Sequence, residues 1–188
     1  MDNPARAAIL HGMDHDSDLL IVGGGLNGPA LALAVARAGL SSTVIDALPR
    51  PVREAGDFDG RAYALALASV RLLRNLGVWE RVAGNAQPML EIKVSDGRAG
   101  EGPAPFVLHF DHAEIEEGPM GHMLEDRFLR HALIAAMDDT PGITQLSGEA
   151  VVAQETGAQG VRLTLASGKT LAGRVLIGAD GRGSGTAR

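Results

Sequence analysis

Asp18-Leu-Leu-Ile-Val-Gly-Gly-Gly-Leu-Asn-Gly28, followed after a helical stretch by Thr43-Val-Ile-Asp46, reads as strand, glycine turn, helix, strand, acid. The apolar run Leu19 to Val22 is short and unbroken, as a parallel strand buried on both faces requires. Gly23, Gly25 and Gly28 fill the three glycine places of G-x-G-x-x-G. The first permits the tight turn, the second lets a pyrophosphate approach the backbone, and the third lets the helix pack closely on the strand. Asp46 stands where a ribose-binding carboxylate is expected, about 20 residues beyond the glycines. A bare glycine motif also occurs as a turn in other α/β proteins. Here strand, helix and terminal acid are in register, and the stretch reads as a dinucleotide site.

Working outward, Pro29 falls in the first turn of the helix, where its missing N–H does no harm. Ala30 to Ala38 is rich in small residues, which lets a helix lie close to a sheet, and Gly39 is placed to end it. Ser42 to Ile45 forms the second strand, with Asp46 at its C-terminal edge, where ligands of open α/β sheets bind. The Asp46 carboxylate can accept from ribose hydroxyls and would repel a 2′-phosphate, so this site should not prefer NADP. Arg61 offers a planar fork of donors for phosphate. Asp180 can accept from another sugar or ribityl hydroxyl, and Gly181 allows close backbone approach. The glycine turn with Asp46, the Arg61 segment and Asp180-Gly181 are expected to converge on one ligand.

The 188 residues suit one domain, or one with part of another, and 45% hydrophobic content is enough for a core. A net charge of −6 with no Lys/Arg-rich run, and only 3% aromatic residues, argue against nucleic acid as a partner. Without cysteine there is no disulfide, zinc-thiolate site or thiol chemistry. No apolar run approaches the roughly 20 residues that span a bilayer, and residues 1–17, with Asp2, Asp14 and Asp16, read as a flexible leader, not a signal peptide.

Residues 49–60 read as a polar loop. Leu65, Val70, Leu73 and Leu76 have helical spacing, so a helix is expected from Arg61 to Leu76, stopped by Gly77. Trp79 reads as a packing residue. From 86 to 120 the pattern turns β-like, with Ile92–Ser95 and Phe106–Phe110 as strands around a Gly/Pro loop, and this is expected to be an excursion from the nucleotide sheet. A helix returns over Glu125–Met137. Strands follow at Ala150–Ala153, Val161–Leu165 and Arg174–Gly178.

Ile21-Val-Gly-Gly-Gly-Leu-Asn-Gly28, Asp59-Gly-Arg-Ala-Tyr-Ala-Leu-Ala66 and Gly178-Ala-Asp-Gly-Arg-Gly-Ser184 resemble three signatures of the class A flavoprotein aromatic hydroxylases. Leu72-Leu-Arg-Asn-Leu-Gly-Val-Trp79 and Gly121-His-Met-Leu-Glu-Asp-Arg-Phe-Leu129 are most similar to the ubiquinone-biosynthesis branch of that family. The resemblance runs over nearly the whole chain after Asp18. It implies an α/β fold: a Rossmann-like, glycine-turn FAD-binding domain over 18–188 with a parallel sheet, and a partial β-sheet substrate layer at 86–120. It implies FAD rather than NAD at Gly23–Asp46, Arg61 near the FAD phosphates or flavin, and Asp180 serving both FAD and a transient NAD(P)H. It also implies that Glu125-Asp126-Arg127 runs beside the ribityl chain, with Asp126 and Arg127 favoured for contact, and that the Val151–Val152 strand passes near the adenine. The implied reaction is hydroxylation of an aromatic polyprenyl phenol by O₂, with the flavin reduced by NAD(P)H. The implied location is the cytoplasm, with room for peripheral association with the inner membrane or with a ubiquinone-biosynthesis complex.

Three departures stand out. Asp46 replaces the family's commoner Glu. Ala187 occupies the place of an Arg that usually follows the second fingerprint, with Arg188 one later. The chain stops eight residues past Asp180, before the family's Gly-Asp fingerprint, and so is expected to be an N-terminal portion, truncated and inactive alone. No catalytic residue is assigned, since the flavin carries the chemistry. His109, His112, His122 and His131 make no ligand pattern, so no metal is expected. Glu114, Glu116 and Glu117 read as a solvated run, and Ser184 as a turn residue. Two other functions remain open: a non-catalytic or partner-dependent flavin-binding fragment, and an NAD-dependent dehydrogenase.

Overall fold

The computed structural model describes residues 15–98, 100–114 and 117–186. The proposed leader therefore lies outside the described residues up to position 14, as do Glu116, Ala187 and Arg188. In chain order the elements are β1 (Ser17–Val22), α1 (Asn27–Arg37), β2 (Ser42–Asp46), the one-turn α2 (Arg50–Arg53), β3 (Ala62–Ala66), α3 (Leu67–Asn75), the short α4 (Trp79–Val82), β4 (Gln87–Met89), β5 (Glu91–Arg98), β6 (Gly102–Asp111), β7 (Gly121–Glu125), α5 (Asp126–Asp138), β8 (Ile143–Ser147), β9 (Val151–Gly157), β10 (Gly160–Leu165) and β11 (Thr170–Gly178). They divide into two compact units. One is built from 1–55 and 133–188, the other from 56–132, a wider excursion than the 86–120 expected from composition.

The first unit holds a six-stranded sheet in the order β8-β2-β1-β11-β10-β9. β8, β2, β1 and β11 are parallel, and β10 and β9 join antiparallel at one edge. The unbroken apolar strands are where the core sits: Leu20, Ile21, Val44, Ile45 and Leu163 have no exposed surface. The sheet starts earlier than the sequence suggested. Ser17 is already in β1, its hydroxyl donating to Leu19 O and hydrogen-bonded with the Thr43 hydroxyl, and Asp16 N donates to Ala172 O at 2.9 Å. At the N-terminal end of β1, Asp18 Oδ2 accepts from the Ser41 N–H and hydroxyl, both at 2.8 Å, and Oδ1 pairs with Arg174 at 3.1 Å. The Ser41 N–H above all, helped by the hydroxyl and Arg174 against the pull of burial, holds the Asp18 carboxyl below its ordinary range.

The second unit carries an antiparallel sheet β3-β7-β4 and a separate β5-β6 hairpin. The expected helix over 61–76 is corrected here. Its first part is strand β3, and helix begins only at Leu67. Ala62, Ala64 and Ala66 are exposed while Tyr63 and Leu65 are half-buried, the period-two alternation of a strand. Pairing with β7 outweighs the helix propensity of alanine. The Gly/Pro loop expected inside 92–110 is also shorter than read, because β5 and β6 extend into it. Trp79 is buried, edge-on to His122 with ring centroids 4.9 Å apart.

Candidate functional site

The site grows from three neighbouring strand ends. Register pairs Val22 with Ile45 on one side and with Gly178 on the other, so the parallel strands β2, β1 and β11 end side by side. The chain leaving β1 is pinned on both flanks. Gly23 N donates to Ile45 O at 2.8 Å, and Ala179 N donates to Val22 O at 2.7 Å. Gly23 turns there with φ of 112°, and a Cβ on it would stand 2.3 Å from Ala179 O. Only glycine fits. A Cβ on Gly28 would lie 2.0 Å from Gly23 O and 3.3 Å from Ile21 Cγ2, so the third glycine sets how closely α1 packs on β1. A Cβ on Gly25 meets nothing within 4 Å. That position faces open space, as the approach of a pyrophosphate needs.

Asp46 closes the other side. Its Oδ2 accepts from Gly24 N at 2.6 Å and its Oδ1 from Leu48 N at 2.8 Å, which orients the carboxylate and leaves lone pairs for ligand hydroxyls. Asp180 Oδ2 accepts from Gly185 N and from the Thr186 hydroxyl, both at 3.0 Å. Its Oδ1 is buried with no hydrogen-bond partner among the described residues. Burial raises the Asp180 pKa, but hydrogen bonds from Ser184, its own backbone and Thr186 outweigh that and hold the carboxyl below its ordinary value. Gly181 follows with φ of 81°.

Gly23, Asp46, Val152 and Asp180 line one cleft of about 640 Å³, together with Leu48, Gln154 and Thr186. The cleft is of the size that small-molecule and cofactor sites occupy. The glycine cradle, the oriented Asp46 and the unpartnered Asp180 oxygen fit a dinucleotide with a pyrophosphate and sugar hydroxyls.

The remaining sequence-read residues gather in the second unit. Arg61 pairs with Asp59 at 2.5 Å and with Asp126 at 3.1 Å. Asp126 is 2% exposed. It accepts from Tyr63 Oη at 2.8 Å and from Arg130 at 2.8 Å, and its N–H donates to Arg61 O. Both carboxylate oxygens serve protein partners, and the side chain holds Arg61 and Tyr63 in place. Arg127 pairs with Glu125 at 2.6 Å, donates to Gly56 O and stacks over Phe58 and Phe128. On the hairpin, Glu91, His109 and Asp111 bring ligand atoms within 4.8 Å of one another, but the Lys93 ammonium lies 2.6 Å from Glu91 and already neutralises it.

Sequence reading missed Arg53. It was read within a polar loop, yet it is 3% exposed and donates to Gly24 O at 2.8 Å and to Ser147 Oγ at 2.8 Å. An arginine between Pro/Gly-flanked polar residues carries no periodic signal, and only its place seven positions beyond Asp46 links it to the turn.

Comparison with known proteins agrees with this geometry. The model of the FAD binding domain family matches residues 16–188. The chain belongs to that family. Ubiquinone hydroxylase UbiL of Rhodospirillum rubrum is 41% identical over 180 residues, covering 96% of this chain and 41% of that protein. The 3-demethoxyubiquinol 3-hydroxylase of Escherichia coli (strain K12) is 33% identical over 170 residues, covering 89% of this chain and 42% of that one. The crystal structure of the flavin-dependent monooxygenase PieE, in complex with FAD and substrate, is 25% identical with a TM-score of 0.69, covering 90% of this chain and 31% of that chain. The chain thus spans about two fifths of the length of these curated relatives. The resemblance read from the three motifs holds, as do the α/β fold with its parallel sheet and FAD as the cofactor of the family.

Proposed function

We propose that the chain is the FAD-binding portion of an NAD(P)H-dependent flavoprotein monooxygenase that hydroxylates an aromatic polyprenyl phenol in ubiquinone biosynthesis. The observation that carries the reading is the meeting of the glycine turn, Asp46 and Asp180 at one cleft on three parallel strand ends. The names of the two curated relatives support the substrate class. In this reading the backbone of Gly23–Gly28 and the start of α1 receive the pyrophosphate, Asp46 receives ribose hydroxyls, and the Val152 strand lines the adenine side. Asp180 and Gly181 receive a further sugar or ribityl hydroxyl. Arg61, held by Asp59 and Asp126, and Arg127, held by Glu125, are kept as proposed FAD contacts through their remaining N–H donors. The bound flavin would take electrons from NAD(P)H and pass them to O₂, while the protein groups bind, orient and exclude water.

Among the described residues no helix is long and apolar enough to cross a membrane. A cytoplasmic location, peripheral association with the inner membrane and membership of a ubiquinone-biosynthesis complex belong to the proposal. The test has two stages. FAD titrated into the chain should bind with quenching of flavin fluorescence, and absence of binding would refute the reading. NADPH, O₂ and a polyprenyl phenol are then added to the chain and, separately, to the chain extended to the length of its relatives. Hydroxylated product from the extended protein supports the monooxygenase. FAD uptake without product from either favours a non-catalytic flavin-binding module.

A further inference from the structure

Arg53 is a buried cation set beneath the turn that would carry the pyrophosphate. At 3% exposure it has little access to solvent, where a charge is costly unless hydrogen bonds compensate it. Nη2 donates to Gly24 O and Nη1 to Ser147 Oγ, both at 2.8 Å, so one rigid fork ties the turn after β1 to the end of β8. The backbone N–H of Arg53 donates to Pro49 O, which seats the residue in α2 just after the Asp46 strand.

Two consequences follow from elementary geometry. In a trans peptide the C=O and the next N–H point in opposite directions. With Gly24 O drawn inward to Arg53, the Gly25 N–H is turned outward, and Gly25 is the residue whose Cβ position lies in open space. The second concerns Gly24, which occupies a nominally free place in G-x-G-x-x-G. A Cβ there would stand 2.5 Å from Arg53 Nη2, 2.7 Å from Arg53 Cζ and 2.9 Å from Asp46 Oδ2. A side chain at position 24 therefore requires the ends of Arg53 and Asp46, which flank it, to move. Without Arg53, the Asp46 carboxylate would oppose an incoming diphosphate more strongly.

We infer that Arg53 is the positioning residue of the pyrophosphate turn: it sets the Gly24–Gly25 peptide so that the Gly25 N–H serves the ligand, and it is the reason position 24 must be glycine. The inference rests on the FAD reading above. It is tested with Arg53→Ala, Arg53→Lys, Gly24→Ala and the Arg53→Ala/Gly24→Ala double variant, each titrated with FAD and each melted without it. Loss of a charge-assisted bond predicts FAD affinity falling by roughly ten- to a hundredfold in Arg53→Ala. Arg53→Lys, which keeps the charge without the fork, should fall between Arg53→Ala and the parent. Gly24→Ala should lose at least tenfold, and the double variant should lose less than the product of the two single losses, because removing Arg53 relieves the contacts at 2.5 and 2.7 Å and leaves only the one with Asp46 Oδ2 at 2.9 Å.

A merely structural Arg53 would lower the melting midpoint and leave the affinity of the folded protein unchanged. That result, or losses at 24 and 53 that multiply, overturns the inference. If Arg53→Ala does not fold, Arg53→Lys and Gly24→Ala decide it: affinities within twofold of the parent refute it. If the parent itself takes up no FAD, the functional reading fails. The melting midpoints of the ligand-free parent, Arg53→Ala, Gly24→Ala and the double variant then judge the Arg53–Gly24 contact alone, and additive midpoints refute it.

Discussion

The glycines of the turn carry different duties, and substitution should separate them. At Gly25 the space around Cβ is open, so Gly25→Val is expected to leave the melting midpoint of the ligand-free protein nearly unchanged while FAD affinity falls by about a hundredfold or more, since the isopropyl group takes the room of a phosphate. At Gly28 the opposite holds. A methyl 2.0 Å from Gly23 O must push α1 off β1, at a cost of about 1–3 kcal/mol in stability measured by urea denaturation. Asp46→Ala removes the acceptor of the Gly24 and Leu48 N–H groups as well as the proposed ribose contact, and FAD affinity should weaken by about 1–3 kcal/mol. A titration in which it weakens only NADPH would mean that a different nucleotide occupies the turn. The tight turn at Gly23 and the close packing at Gly28 were legible from residue types and spacing. Arg53 was not, because burial of a charge shows only in three dimensions. Asp126 was visible as a residue, but the sequence does not reveal that Tyr63, Arg61 and Arg130 converge on it.

Among the elements, the six-stranded sheet was the more readable part. β1, β2 and β11 are apolar runs closed by glycine or acid, and nothing local competes with that pattern. β3 was hidden by alanines, which favour helix in isolation and are overruled by pairing with β7, a partner nearly 60 residues away. The link between β1, the Ser41 turn and β11 through Asp18 was also silent in sequence, and it makes the sheet sensitive to pH. The folded pKa of Asp18 lies below the ordinary 3.8. Its contribution is therefore complete above the unfolded value and is lost as pH falls through the folded one. Asp18→Asn should destabilise the protein by about 1–2 kcal/mol at pH 7. Urea midpoints of the parent and the variant should keep that gap down to about pH 5 and draw together as the pH falls below the ordinary carboxylate range. A gap that stays constant through the whole acid limb of the titration would show that the charge of Asp18 does not contribute.

Over the whole molecule, the division at 56 and 132 was only half legible, because composition changes at the hairpin and not at β3, whereas the contacts change at β3. The cleft belongs entirely to the unit that holds the parallel sheet, so its ligand should stabilise that unit by mass action. A ligand at a hundred times its dissociation constant adds about 2.7 kcal/mol to the folded state. For a domain of this size that is a rise of roughly 5–10 °C in melting midpoint. FAD should produce such a rise in proportion to the logarithm of its concentration, and Gly25→Val should abolish it. NADP⁺ should produce less than FAD at equal concentration, because its 2′-phosphate would meet the Asp46 carboxylate, already oriented by two backbone donors. Asp46→Asn removes that charge but keeps the side chain's shape, so it should narrow the difference between the two nucleotides. If NADP⁺ stabilises the parent protein as strongly as FAD, Asp46 does not discriminate against the 2′-phosphate and the first dinucleotide site is misassigned.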